Sequence, residues 1–214
     1  MGKPARLAQE QARALARLSG VPGIDRFYLA GGSAVGWHLG HRLSNDLDLF
    51  SRSGDVDLDE LRERILAAVP GAEVVSRSDV TMKLRVEAVP VDVVRYRYAP
   101  LDAPPPGPDG FPIASLRDLA AMKLATIAGR GLRRDFWDLH EILQAGLTLA
   151  EAADAYLRRF GSAQSDLYHV LRALTYFVDA EADPVLPAGL TTKKWEAIKA
   201  FFRAEAPKLT MGSG

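Results

Sequence analysis

Between residues 99 and 112 the chain reads APLDAPPPGPDGFP, and no other stretch limits its fold as sharply. Pro100, Pro104, Pro105, Pro106, Pro108 and Pro112 lack the N–H that a helix interior or a central strand needs. Gly107 and Gly110 add turn-forming freedom. The stretch can be neither helix nor inner strand, and it is expected to be a linker over residues 99–113. The chain is therefore expected to organise separately on its two sides, and the periodicity differs between them.

Ahead of the prolines, helix and strand patterns alternate. Residues 4–18 place Leu7, Ala8, Ala12, Leu15 and Ala16 at helical spacing, and VPG at 21–23 stops that helix. DRFYLA (25–30) reads as a short strand running into Gly31-Gly32, with a short helix over 33–40 capped by Ser33. NDLDLF (45–50) alternates, so Asp46 and Asp48 share one face of a strand and Leu47 and Leu49 the other. DVDLDELRERILAAVP (55–70) is a helix closed by Pro70-Gly71. AEVVSRS (72–78), TMKLRVEA (81–88) and VPVDVVRYRY (89–98) are three further strands, the last two a hairpin. Behind the prolines the pattern is helical, over 114–129, 133–145, 149–160, 163–179 and 191–206. Tyr156, Phe160, Tyr168, Tyr176 and Phe177 recur near helical spacing and are expected in its core. The expected organisation is an α+β domain over 1–98 with a mixed sheet, a helical domain over 114–206, and a flexible tail over 207–214.

Composition narrows the function. With 48% apolar and 25% charged residues, the chain can bury a core and stay soluble. There is no cysteine, which rules out disulfides and thiolate metal sites and fits a reducing, cytoplasmic setting. The N-terminal residues hold no apolar block of signal-peptide length, and no run approaches the roughly 20 apolar residues of a membrane span. Twenty-seven basic residues balance 27 acidic ones, so any nucleic-acid surface has to be local.

The chemistry concentrates in YLAGGSAVGWHLGHRLSNDLDLFS (28–51). Two glycines at a strand end let backbone approach a ligand closely, and a helix N-terminus behind them offers free N–H groups to phosphate. Asp46 and Asp48, two residues apart on one strand, repel one another unless a cation lies between them. Mg²⁺ suits such a pair, because it takes oxygen ligands and leaves positions for substrate phosphates. Asp92, an acid between valines in VPVDVV (89–94), is the candidate third carboxylate of a two-metal site. His38 and His41 flank the pair, but their spacing is poor for zinc, and they are expected to end the short helix.

The helical half adds a cation. Lys123 falls in the apolar stripe of Leu116, Leu119, Ala120 and Ile127, so it either snorkels out or meets a buried anion, for which a triphosphate would serve. Arg130 extends the same side, and Asp135 and Asp138 share a face of the next helix. Arg130, Arg133 and Arg134, with Lys193, Lys194 and Lys199, are candidates for a local basic surface.

Taken together, residues 28–51, VPVDVV and DLAAMKLATIAGRGLRRDFWDLHEIL (118–143) resemble the AbiEii/AbiGii toxin family, nucleotidyltransferases of type IV toxin–antitoxin and abortive-infection systems. The resemblance implies a polymerase-β-like nucleotidyltransferase fold, an NTP donor, Mg²⁺ and a cognate antitoxin. It assigns Gly31, Gly32 and Ser33 to the phosphate-binding turn, and Asp46 and Asp48, with Asp92 more loosely, to metal. Lys123 is assigned to the triphosphate with Arg130 beside it, and Asp138 or its neighbour Asp135 is the later acidic residue. The NTP is expected between the two halves. The acceptor hydroxyl implied is that of a tRNA 3′ end, with a small antibiotic-type molecule or a protein as alternatives. A nucleotide-binding pseudoenzyme acting through a protein partner is the reading from another class.

Overall fold

A computed structural model describes residues 7–161 and 164–211. The chain divides into two compact units, Met1–Ser115 and Leu116–Gly214.

The first unit runs α1 (Gln9–Ser19), β1 (Phe27–Ala30), α2 (Gly31–Leu39), β2 (Leu47–Ser51), α3 (Leu58–Ala68), β3 (Ala72–Arg77), β4 (Thr81–Val86) and β5 (Val89–Val94). Its five strands form one sheet in the order β1-β2-β5-β4-β3. β2 and β5 pair in parallel and every other pair is antiparallel, so the sheet is mixed, as expected. The parallel pair needs a long crossover, which α3, β3 and β4 supply. Strand alternation sorts the sheet into two faces. Leu47, Leu49, Met82, Leu84, Val86, Val91 and Val93 are buried on one face, each worth about 1.5–3 kcal/mol relative to exposure. Asp48, Lys83 and Asp92 lie on the other, where water or a ligand reaches them.

Two expectations change here. The proline-rich stretch is not a free linker but part of the first unit. The Leu29 N–H donates to the Pro112 carbonyl and the Ala114 N–H to the Leu29 carbonyl, both at 2.8 Å, in a short parallel bridge along β1. Proline lacks a donor yet keeps its carbonyl, and the register places the carbonyl of Pro112 where β1 needs it. Nor does Ser33 cap α2. The helix starts two residues earlier, because Gly31 takes a left-handed φ of +63° and turns the chain straight from strand into helix.

The second unit is helical: α4 (Leu116–Gly129), α5 (Arg133–Gln144), α6 (Leu149–Phe160), α7 (Gln164–Ala173), α8 (Val178–Ala182) and α9 (Thr192–Met211). Phe136, Phe177, Trp195 and Phe202 cluster in its core, with ring centroids of Phe136 to the other three at 5.1–5.9 Å. A buried Arg159–Asp118 ion pair ties α6 to α4. Thr148 and Glu151 close a capping box at the start of α6. The helix expected over 163–179 is two helices. The Thr175 hydroxyl donates back to the Arg172 carbonyl, and the chain turns before α8. Tyr156 and Phe177 are buried as expected, but Tyr168 and Tyr176 are 50% and 56% exposed, on the side of the pattern that faces water. α9 continues through Pro207 to Met211, where a tail from residue 207 was expected; residues 212–214 of that tail lie outside the described residues. Among the described residues, no helix is long and apolar enough to cross a membrane.

Candidate active site

The site in the first unit is built by letting a loop lie against a helix start. Ala30 pairs with Asp48 across β1 and β2. A Cβ on Gly31 would stand 1.8 Å from Asp48 Oδ2, so only glycine admits the carboxylate there. A Cβ on Gly32 would meet Arg42 Nη2 at 2.6 Å and Ser44 Oγ at 2.9 Å, and one on Gly36 would meet the Arg42 carbonyl at 2.7 Å. Three glycines on α2 thus make room for the loop that leads to the aspartates.

That loop is fastened from beneath. Gln11 of α1, only 4% exposed, donates from Nε2 to the Asp46 carbonyl at 2.9 Å, the Ser44 carbonyl at 3.0 Å and Ser33 Oγ at 3.3 Å. The Ser33 hydroxyl donates to the same Asp46 carbonyl. Ser44 Oγ donates to Asp46 Oδ1 at 2.6 Å, which orients the carboxylate. Sequence reading assigned Ser33 to phosphate and overlooked Gln11. The signal was available, since Gln11 sits with Ala14, Leu15 and Leu18 on one helical face, and a glutamine among apolar residues needs partners.

Across the sheet, Asp48 stands opposite Asp92 in the parallel register, and Lys83 opposite Asp92 on the far side. Lys83 Nζ bonds Asp92 Oδ2 at 2.7 Å. Two carboxylates in register form a place that attracts cations, and Lys83 already meets one of them. Among the described residues, no three His, Asp or Glu side chains are gathered closely enough to hold a metal ion alone. The donor chemistry nevertheless fits Mg²⁺ bound through one or two carboxylates, with phosphate oxygens and water completing the shell. Asp46 and Asp48 are hard oxygen donors, half-exposed beside the start of α2. His38 lies in the last turn of α2 as expected, its Nε2 2.8 Å from the Ala114 carbonyl, whereas His41 falls beyond the Gly40 cap and does not end the helix. Burial lowers the His38 pKa, against the smaller upward effect of that carbonyl, so the ring favours the neutral state.

In the second unit the other predicted residues form a buried cluster. Lys123 Nζ lies 2.9 Å from Asp135 Oδ1 and 2.7 Å from Asp138 Oδ2, all three essentially shielded from solvent. Burial opposes the lysine's charge, but the Asp138 and Asp135 carboxylates outweigh it and raise its pKa above the ordinary value. Arg130, largely exposed, stands 3.7 Å from Asp135 Oδ2, a buried atom that accepts no hydrogen bond. The buried anion that Lys123 requires is therefore met within its own unit, by the two aspartates of α5.

Residues 13–75 and 70–210 match the family model described as "Nucleotidyl transferase AbiEii toxin, Type IV TA system". The chain belongs to the AbiEii nucleotidyltransferase toxin family. It is a nucleotidyltransferase, as its motifs imply. The uncharacterized protein aq_aa25 of Aquifex aeolicus (strain VF5) is 28% identical over 201 residues, covering 92% of this chain and 95% of that one. MenT4, a nucleotidyltransferase toxin of Mycobacterium tuberculosis H37Rv, shares the fold, with a TM-score of 0.62 at 19% identity over 92% of this chain and 82% of MenT4. An antigenic nucleotidyltransferase-like protein of Paracoccidioides brasiliensis aligns at 18% identity over 78% of this chain and 94% of that one, with a TM-score of 0.46. In this AbiEii-family chain, Gly31, Gly32, Asp46, Asp48 and Asp92 gather at one corner of the sheet. Lys123, Arg130, Asp135 and Asp138 gather between α4 and α5.

Proposed function

We propose that this AbiEii-family nucleotidyltransferase moves a nucleoside monophosphate from an NTP to an acceptor hydroxyl in a Mg²⁺-dependent reaction, with the 3′ end of tRNA as the acceptor. The observation that carries the reading is the register of Asp48 against Asp92 beside a helix start that only glycines can form. Asp46 and Asp48 would hold the metal, and Asp92 would join them when Lys83 releases it. Bound Mg²⁺ would offset the developing charge on the transferring phosphoryl group. The free N–H groups at the start of α2 would take the triphosphate oxygens, a role that suits backbone because the Ser33 hydroxyl is committed to Asp46. Within the helical unit, Asp138 and Asp135 already neutralise Lys123, so we propose that this buried trio, with Arg130 beside it, fixes how α4 and α5 pack rather than meeting the triphosphate itself.

The acceptor oxygen bonds to the α-phosphorus, the bond to the bridging oxygen breaks, and pyrophosphate leaves. The hydroxyl proton passes to Asp92 or to water. The protein's part is positioning and charge stabilisation. The family also implies a cognate antitoxin, which we propose as the partner that restrains transfer.

Incubation of the protein with each of four labelled NTPs, Mg²⁺, total tRNA and cell extract tests the reading. Label is expected in tRNA with wild type and is expected to vanish with Asp48→Ala. Label only in protein would move the acceptor class, and label only in added aminoglycosides would make it a small-molecule enzyme. Undiminished transfer by Asp48→Ala would overturn the assignment of the metal pair.

A further inference from the structure

The aspartates share their sheet face with a row of aromatic rings. Strand alternation puts Phe50 on the side of Asp48, opposite the buried Leu47 and Leu49. Tyr28 pairs with Phe50 on β1, and their ring centroids are 6.3 Å apart. Beyond the end of β5, Tyr96 packs edge to face on Phe50 at 4.8 Å, and Tyr98 on Tyr96 at 5.5 Å. The Arg97 guanidinium lies 4.6 Å from the Tyr98 ring centroid. Tyr28 is fully buried, but Phe50, Tyr96 and Tyr98 are only half-buried. Three part-exposed rings in a row thus offer stackable apolar area on the same face as the carboxylates.

The same face carries cations. Lys83 stands opposite Asp92, and Arg85 opposite Pro90, both exposed on β4. With strands about 4.8 Å apart, β2 to β4 spans about 10 Å, more than a single phosphate group needs. Half-exposed rings beside a track of cations form the arrangement on which single-stranded nucleic acid binds, bases on the rings and phosphates on the charges.

We propose that Phe50, Tyr96 and Tyr98 form a nucleobase platform that receives the terminal base of a single-stranded RNA acceptor, with Lys83 and Arg85 meeting its phosphates. Asp92 lies between platform and cations, so a strand lying across both would bring its terminal hydroxyl to the carboxylate pair. The proposal deepens the nucleotidyl-transfer reading and rests on it for the class of acceptor.

Binding of a single-stranded RNA oligonucleotide with 2-aminopurine at its 3′ end tests it, since stacking on a ring quenches that base. No transfer is needed, so the result is independent of whether labelled NTP reaches tRNA. Wild type should quench the probe. Tyr96→Ala and Tyr98→Ala should each weaken binding by about ten- to a hundredfold, and Tyr96→Phe should restore it. The backbone at Tyr96 is pinned independently of its ring, because its N–H donates to Ser51 Oγ at 2.7 Å, so truncation leaves the turn in place. Far-UV circular dichroism checks this, and Tyr98→Ala at the end of the row provides a second variant. Quenching of 2-aminopurine riboside triphosphate but not of the oligonucleotide would overturn the acceptor assignment in favour of the donor base. No quenching, or quenching that both alanine variants leave unchanged, would overturn the platform.

Discussion

Gln11 has no reacting atom in reach, yet it sets where Asp46 sits. Its side chain supplies hydrogen bonds to the Asp46 carbonyl, the Ser44 carbonyl and Ser33 Oγ. Gln11→Leu keeps much of the volume and removes the donor, leaving the Ser44 carbonyl without it and the Asp46 carbonyl held by Ser33 alone, at about 1–3 kcal/mol. Chemical denaturation should show that loss. Steady-state assays should show kcat falling more than NTP KM rises, with Gln11→Asn restoring part of it; an unchanged kcat would mean Gln11 only supports the fold. Lys123 is the opposite case, a charge whose surroundings are complete. Lys123→Met strands Asp135 and Asp138 together in a dry interior and should cost about 3–5 kcal/mol, read as a lower urea midpoint. Adding Asp138→Asn should recover part of it, and a double variant no more stable than the single would contradict the pairing. From sequence, Lys123 was legible as a cation needing an anion. That the anion is Asp135 and Asp138 was not, because pairing between helices depends on how α4 and α5 cross.

At the scale of elements, the joint between β1 and α2 is the most demanding. Gly31 turns there with positive φ, and the Asp48 carboxylate occupies the space a side chain would need. Gly31→Ala combines strain of about 1–3 kcal/mol with a collision at the site. It should lower the midpoint of thermal unfolding and abolish transfer, and a variant that keeps wild-type activity would place the nucleotide elsewhere. The seam between α5 and α9 gives a pH signature. Hydrogen bonding from His140, then from Lys194, holds the Glu141 pKa down to about 2 in spite of partial burial. A depressed carboxylate stabilises the fold fully above its unfolded value of 4.5, and that contribution disappears as pH falls toward about 2. Urea midpoints measured between pH 5 and pH 2.5 should fall, and Glu141→Gln should flatten that part of the slope. Most helices and strands were legible from periodicity and stop signals. The start of α2 was misplaced by two residues because serine is a good cap in general, while glycine geometry decided the matter here.

At the scale of the whole molecule, Asp48 and Asp92 stand side by side because two distant strands meet in parallel. Asp48→Ala should lose transfer while unfolding cooperatively within a few degrees of the wild-type midpoint, measured by calorimetry and NTP incorporation on one preparation. A fall of several degrees would show that the carboxylate is structural. The mixed α/β half, the helical half, the glycine turn, the Asp46–Asp48 spacing and the likeness to the AbiEii family were all readable along the chain. All of these are local patterns, spread over a turn, an alternation or a helical period, and local patterns survive in one dimension. Three-dimensional packing was needed to see that the proline-rich stretch pairs beside β1, that Ser33 and Gln11 hold the loop at Asp46, and that Phe50, Tyr96 and Tyr98 line up. Each of these joins residues far apart in the chain through packing or register, and no short-range preference encodes such a contact.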